Sequence, residues 1–305
     1  MDDKLFKLED IGDIISEERL PYAIADKNNR VQNAILLNSW IQGRGLPDSR
    51  KDKESIKEQF KVNELKILTI QALALNLTDH YWLHELDKDL RWEDVNHFDN
   101  PFDKIKPGNE IAPGIDESVT KDSPNLCVDG SIEKRWIIRD NERYLVKGSR
   151  YRRMQEPFNE AIASQIMDLF NINHVNYNLK RTKEGIPYSE CKCMCNTHTE
   201  YLNAGWIIGN THNSYIDVCK NNNIADAKER IDEMIILDFL IGNVDRHRGN
   251  YGILRDGDTL KWLSIAPIFD NGNSLFFDYE NEDMQYCGVD SFSKAFRDNN
   301  RLNLQ

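Results

Sequence analysis

The chain has 305 residues, 40% of them hydrophobic and 30% charged, with a net charge of −12. That balance describes a folded chain with room for one large or two ordinary domains, and it excludes wholesale disorder. The acidic excess argues against direct nucleic-acid contact, no apolar run reaches the ~18 residues of a membrane span, and Met1-Asp2-Asp3-Lys4 lacks the order of a secretion signal, so a cytoplasmic protein without a membrane partner is expected.

Residues 1–99 read as a mostly helical accessory segment. Leu36, Leu37, Trp40 and Ile41 form an amphipathic turn or two, closed by Gly43-Arg44-Gly45-Leu46-Pro47. Ile56, Phe60, Leu65, Leu68, Ala72 and Leu75 recur at helical spacing, as two helices or one broken near Val62-Asn63. Tyr81, Trp82 and Trp92 are expected to pack against the next block. Residues 100–125, with four prolines and two glycines, read as a linker.

The period changes to two in residues 126–195, the expected N-lobe. Trp136-Ile137-Ile138-Arg139 and Tyr144-Leu145-Val146-Lys147 flank Asp140-Asn141-Glu142 as a hairpin. Pro157 suits a first helical position, and Phe158, Ile162, Ile166, Leu169 and Phe170 then mark an apolar helix face. Strands are predicted over 175–180 and 186–191. Residues 196–305 form the expected C-lobe, with a helix capped by Asp226, facing inward through Ile231, Met234, Ile235, Phe239 and Leu240, and ending at Gly242. Strands follow over 251–254 and 262–265. The expected class is α+β, in two lobes with a cleft between them.

The most informative stretch is Gly242-Asn243-Val244-Asp245-Arg246-His247-Arg248-Gly249-Asn250, followed by Pro267-Ile268-Phe269-Asp270-Asn271-Gly272. Phosphoryl transfer needs one carboxylate facing the acceptor hydroxyl, with a carboxamide oxygen and a second carboxylate holding Mg²⁺ against the phosphates of ATP. Asp245, Asn250 and Asp270 supply those types. Arg246, His247 and Arg248 are read as a positive neighbourhood that keeps Asp245 ionised, with His247 bracing the loop. Lys147 on an inner strand face requires an anion, which a nucleotide phosphate would provide, and Glu160 would orient it, with Glu156 as the competitor. Gly130, Ser131 and Lys134 form a turn that could approach phosphate.

Cys191-x-Cys193-x-Cys195 with His198 invites a zinc reading, but no second ligand pair accompanies it. Free thiols, including Cys127, Cys219 and Cys287, are the expectation.

Asn243-x-Asp245-x-His247-x-x-Asn250 with Pro267-x-x-Asp270, together with Tyr144-Leu145-Val146-Lys147-Gly148 and Glu156-Pro157-Phe158-Asn159-Glu160, resembles the HipA-like serine/threonine kinases, a group with toxin–antitoxin and CtkA-type members. The resemblance runs from about Cys127 to Asp278 and implies a protein-kinase-like fold. It makes Asp245 the catalytic carboxylate, places Asn250 and Asp270 on Mg²⁺ and Lys147 on the nucleotide phosphates, and sets adenine against backbone near Lys192 to Met194. It further implies a protein substrate with a Ser or Thr acceptor, and an antitoxin or other regulatory partner. The family's autophosphorylated serine falls here on Cys127, so that switch would require Ser123 or Ser131. Only 35 residues follow Asp270, as in a small helical lobe or a fragment. Two other readings stay open: a lipid or small-molecule kinase, and a nucleotide-binding pseudokinase or regulatory module.

Overall fold

The computed structural model describes residues 12–22, 24, 30–50, 52–103, 113–150, 153–209 and 214–277. Cys287, part of the linker expected over 100–125, and the C-lobe expectation beyond residue 277 lie outside the described residues.

The accessory segment carries α1 (Arg30–Gln42), α2 (Lys53–Phe60), α3 (Leu65–Gln71) and the single turn α4 (Trp92–Val95). The break expected near Val62-Asn63 is real: Lys61 adopts a left-handed φ of 55° and closes α2. A 3₁₀ turn over Pro124–Cys127 ends the linker.

The next elements are β1 (Lys134–Arg139), β2 (Glu142–Lys147), α5 (Glu156–Leu169), β3 (Tyr177–Arg181) and β4 (Pro187–Lys192), with strand order β1-β2-β4-β3, antiparallel throughout. Asp140 (φ 50°) and Asn141 (φ 62°) are both left-handed, the two-residue turn whose twist matches a hairpin. The expected strand pairs therefore stand, and β2 is an inner strand.

Helix α5 buries a different face from the one its apolar residues mark. Asn159, Glu160, Ala163, Ser164 and Met167 point inward, while Ile162, Leu169 and Phe170 are exposed, at 41%, 85% and 65%; of the expected face, Phe158 and Ile166 are half-buried, and Ile166 packs against the core. The cause is hydrogen bonding. Asn159 Nδ2 donates to the Gly272 and Ser274 carbonyls (3.0 and 2.6 Å), and Gln155 Nε2 donates to the Leu275 carbonyl at 2.9 Å. A loop whose carbonyls need donors selects the polar face.

Then come β5 (Thr199–Asn203), α6 (Ala204–Ile208), α7 (Tyr215–Asn221), α8 (Ala227–Ile241), β6 (Gly252–Asp256) and β7 (Trp262–Ile265). Sequence patterning missed β5, α6 and α7. The core of this part joins Ile207, Tyr215, Ile231, Met234, Leu237 and Ile253. Asp226 stands at the start of α8 but makes no side-chain cap; its Oδ2 accepts from Arg230 Nε at 3.1 Å instead. Phe239 and Leu240, expected inside, are 39% and 58% exposed, because Leu237, Asp238 and Ile241 take the inner face. Gly242 ends the helix with a left-handed φ of 61°. A small antiparallel sheet with one helix followed by a mainly helical part is the two-lobed α+β arrangement expected. No helix among the described residues is long and apolar enough to cross a membrane.

Candidate active site

Strand β2 ends at Lys147, which is 4% exposed. Its Nζ donates to Glu160 Oε1 and, at 2.6 Å, to Asp270 Oδ1. Burial would lower the lysine pKa, but the Asp270 and Glu160 carboxylates outweigh it and the net shift is upward. Asp270 moves the other way. Burial alone would raise it, yet the ammonium of Lys147 and then that of Lys134 hold it far below the usual carboxylate range. Lys147 is thus charged and Asp270 ionised at neutral pH.

Glu160, not Glu156, is the carboxylate that meets Lys147. Glu156 accepts from Ser149 Oγ and from the Arg150 amide at 3.0 Å, so it fixes the turn after β2. Glu160 carries Lys147 on one oxygen and the Asn271 amide on the other, at 2.8 Å. It ties lysine, helix and the 270 loop into one unit.

The loop after α8 is organised by Arg246, which is fully buried. Its guanidinium takes both Asp238 oxygens (2.9 and 2.9 Å), the Asn250 and Phe269 carbonyls (2.9 and 2.7 Å) and Asn271 Oδ1 (2.7 Å). Every donor of the fork is used. This corrects the expectation that Arg246 lends its charge to Asp245: the side chain points into the core and joins the 245 and 270 loops. Asp245 is held instead by Asn273, whose Nδ2 donates to Asp245 Oδ2 at 2.7 Å, and its amide donates to Asn243 Oδ1 at 2.9 Å. His247 Nδ1 accepts from the Gly249 amide at 3.1 Å, the bracing role expected of it.

A cleft of about 280 Å³ opens here, lined by Lys134, Leu145, Met194, Asn250, Phe269 and Asp270. Lys147 and Glu160 adjoin it through Asp270, and Asp245 through Asn250, whose Nδ2 reaches the Asp245 carbonyl at 3.4 Å. Gly130, Ser131 and Lys192 are not among its lining residues. Gly130 has a φ of +106°, which a side chain would strain. Ser131 Oγ accepts from Arg150. Lys192 pairs across the sheet with Tyr144, so the two-residue period turns its side chain to the far face, where Nζ meets Glu142 at 2.8 Å. Ser123 is fully buried and bonded to Asp103 at 2.9 Å, which excludes it as an accessible phosphate acceptor in this fold.

The accessory segment reaches the same cleft. Arg44, Thr78, Asp79 and Tyr81 are among its lining residues, and Arg44 forks onto Asp79 at 2.6 and 2.9 Å. The Thr78 carbonyl accepts from the Tyr201 amide at 2.7 Å and the Leu77 carbonyl from Cys193 Sγ at 3.2 Å, so this segment is docked across the junction of β4 and β5.

The donor set suits magnesium. Asn250 spends its Nδ2 on the Asp245 carbonyl, which leaves Oδ1 as a hard oxygen donor, and Asp270 keeps one oxygen beyond the Lys147 contact. Among the described residues, no three His, Cys, Asp or Glu side chains gather as a metal site. Two protein oxygens plus phosphate is how Mg²⁺ is usually held. Cys191, Cys193 and Cys195 are free thiols.

Asp238, Asn271 and Asn273 escaped sequence reasoning. Asp238 had a readable signal, since it stands on the inner face of α8 between Met234 and Ile241, where an unpaired charge is costly.

No protein-family model matches the chain. Serine/threonine-protein kinase CtkA of Helicobacter pylori is 28% identical over 190 residues, covering 54% of this chain; the chain spans 57% of that curated relative's length. The crystal structure of the H. pylori proinflammatory kinase CtkA aligns with a TM-score of 0.42 and 23% identity, over 52% of this chain and 62% of that one. HipA in the Shewanella oneidensis MR-1 HipA, HipB and operator DNA complex aligns with a TM-score of 0.45 and 14% identity, over 82% and 66%. In sequence, this chain is a relative of the serine/threonine-protein kinase CtkA.

Proposed function

We propose that the chain is a kinase that transfers the γ-phosphoryl group of ATP, with Mg²⁺, to a serine or threonine hydroxyl of a protein. The observation that carries this reading is the single lysine, Lys147, shared between Glu160 and Asp270 beside a cleft that also presents Lys134 and Asn250. Kinship with a serine/threonine-protein kinase supports it. A regulatory protein partner of the antitoxin kind belongs to the same proposal.

In this reading Lys147 and Lys134 bind phosphate oxygens, and Glu160 keeps Lys147 from swinging away. Asn250 Oδ1 and Asp270 would hold the metal, which supplies charge neutralisation at the phosphates. Asp245, fixed through Oδ2 by Asn273, has Oδ1 left to accept the hydrogen bond of the substrate hydroxyl and orient its oxygen. The preformed network means these groups need little rearrangement, so positioning and electrostatics supply most of the rate.

The test is incorporation of labelled phosphate from ATP into protein, with Asp245→Asn beside the wild type. The variant is expected to lose roughly 10²–10⁴-fold in rate while ATP affinity is kept. Equal incorporation would remove Asp245 from the chemistry. ATP binding by the wild type without transfer to any protein would favour a nucleotide-binding module.

A further inference from the structure

Val128, Leu145, Met194, Tyr201 and Phe269 line the cleft as an apolar slot. The first four belong to one cluster with Leu77 of the accessory segment, while Phe269 joins Leu145 and Met194 in a second and stands edge-on to Tyr201, ring centres 5.4 Å apart. The chain neighbours of Leu77, Asn76 and Thr78, line the cleft themselves. Besides the Leu77 and Thr78 carbonyl contacts with Cys193 and Tyr201, the His80 amide donates to Glu200 Oε2 at 3.0 Å, and His80 Nε2 lies 2.8 Å from the Asn196 carbonyl. Residues 76–80 therefore run as a strap along the connection from β4 to β5.

An apolar slot holds a planar base by its faces, but edge atoms tell one base from another and require polar partners. The backbone near Lys192 to Met194 is short of one donor, because the Cys193 amide is engaged with the Arg143 carbonyl at 2.8 Å. The strap has free donors. Asn76 Oδ1 accepts from the Thr78 and Asp79 amides at 3.1 and 3.2 Å, which orients the side chain and leaves Nδ2 over. Among the described residues, neither Asn76 Nδ2 nor the Thr78 hydroxyl has a hydrogen-bond partner. The adjacent Asp79 carboxylate does not compete for them, since Arg44 takes both its oxygens.

We propose that the strap is a wall of the nucleobase site and reads the edge of the base, with Asn76 Nδ2 donating to N1 of adenine and the Thr78 hydroxyl bonding the same edge. The inference rests on the nucleotide-kinase reading above. It moves part of base recognition from the backbone between the lobes to side chains of the accessory segment, which makes that segment part of the nucleotide site. Selectivity follows from the donor. Guanine carries a proton on N1 and an amino group beside it, so an amide donor at that edge meets donors and both are left unpaired.

The experiment compares affinities for Mg-ATP, Mg-GTP and tripolyphosphate by calorimetry on the full chain. Asn76→Asp keeps the acceptor that holds the turn and replaces the donor by an oxygen. The ratio of ATP to GTP affinity is expected to fall about tenfold or more, and the added charge cancels in that ratio because both ligands carry the same triphosphate. Thr78→Val keeps the side-chain shape and the backbone bond to Tyr201. That variant is expected to weaken ATP several-fold and to leave tripolyphosphate unchanged. An unchanged ratio in folded Asn76→Asp, or an unchanged ATP affinity in folded Thr78→Val, overturns the strap as the reader of the base. If the wild type binds ATP no more tightly than tripolyphosphate, it is the nucleotide-kinase reading that fails.

Discussion

Replacing Arg246 by methionine removes the guanidinium that joins α8, the 245 loop and the 270 loop, and the structure sets the scale of the loss. The five contacts run between 2.7 and 2.9 Å, and both Arg246 and Asp238 are wholly buried. Deleting one partner strands the Asp238 carboxylate away from water, which costs about 3–5 kcal/mol. For a chain of this size, with an m-value of about 3 kcal/mol/M in urea, the midpoint should fall by about 1–2 M. Circular dichroism against urea measures that shift. The double variant Arg246→Met/Asp238→Leu removes both charges and is expected to recover a large part of the loss, because no buried ion is then left alone. Three acceptors in the loops still lack their donor, so recovery is incomplete. A single-variant cost below about 1 kcal/mol, or a double variant equal to the sum of its parts, would refute the claim that this pair holds the site together.

Other outcomes follow from the same geometry. Glu160→Gln is expected to lower phosphoryl transfer at least about tenfold by weakening its hold on Lys147, whereas Glu156→Gln should alter thermal stability and leave the nucleotide dependence of the rate as it was; equal loss in both would contradict the assignment. Lys147→Met leaves Glu160 and Asp270 without their cation, so transfer should fall by about 10² or more and ATP should weaken, read by labelled phosphate and calorimetry. His97 is buried against the ring of Phe102, and burial, against the opposing pull of Asp122, lowers its pKa from 6.5 to about 4. Between those values the unfolded chain binds a proton that the folded chain does not. Stability should therefore drop by about 2 kcal/mol from pH 7.5 to pH 5, and His97→Phe should remove that part of the slope; an identical slope in the variant would exclude His97 as its source. Ser123→Ala deletes the cap of a 3₁₀ turn and a bond to Asp103, at a cost of about 1 kcal/mol in thermal or urea unfolding, and should leave any self-phosphorylation unchanged.

The candidate residues were legible because they are polar types at short spacings. Asp245 and Asn250 share one loop, Asp270 follows one strand hairpin later, and Lys147 ends a strand of clear two-residue period, so local pattern alone named all four. The hairpin turn at Asp140-Asn141 and the helix stop at Gly242 were equally local, since both depend on left-handed backbone that few residues tolerate. What the tertiary structure decided were matters of partnership across long separations. Apolar periodicity on α5 indicated the wrong face, because loop carbonyls at Gly272 and Ser274 required the amide of Asn159. The guanidinium of Arg246, positive and next to Asp245 in the chain, turned inward because Asp238 and two loop carbonyls met it there. Lys192, expected to meet adenine through its backbone, turns its side chain to the far face of the sheet through strand register, while Met194 lines the cleft. A sequence displays which charges a chain carries; which of them are neutralised and which await a ligand depends on the neighbours that folding supplies in a low-dielectric interior.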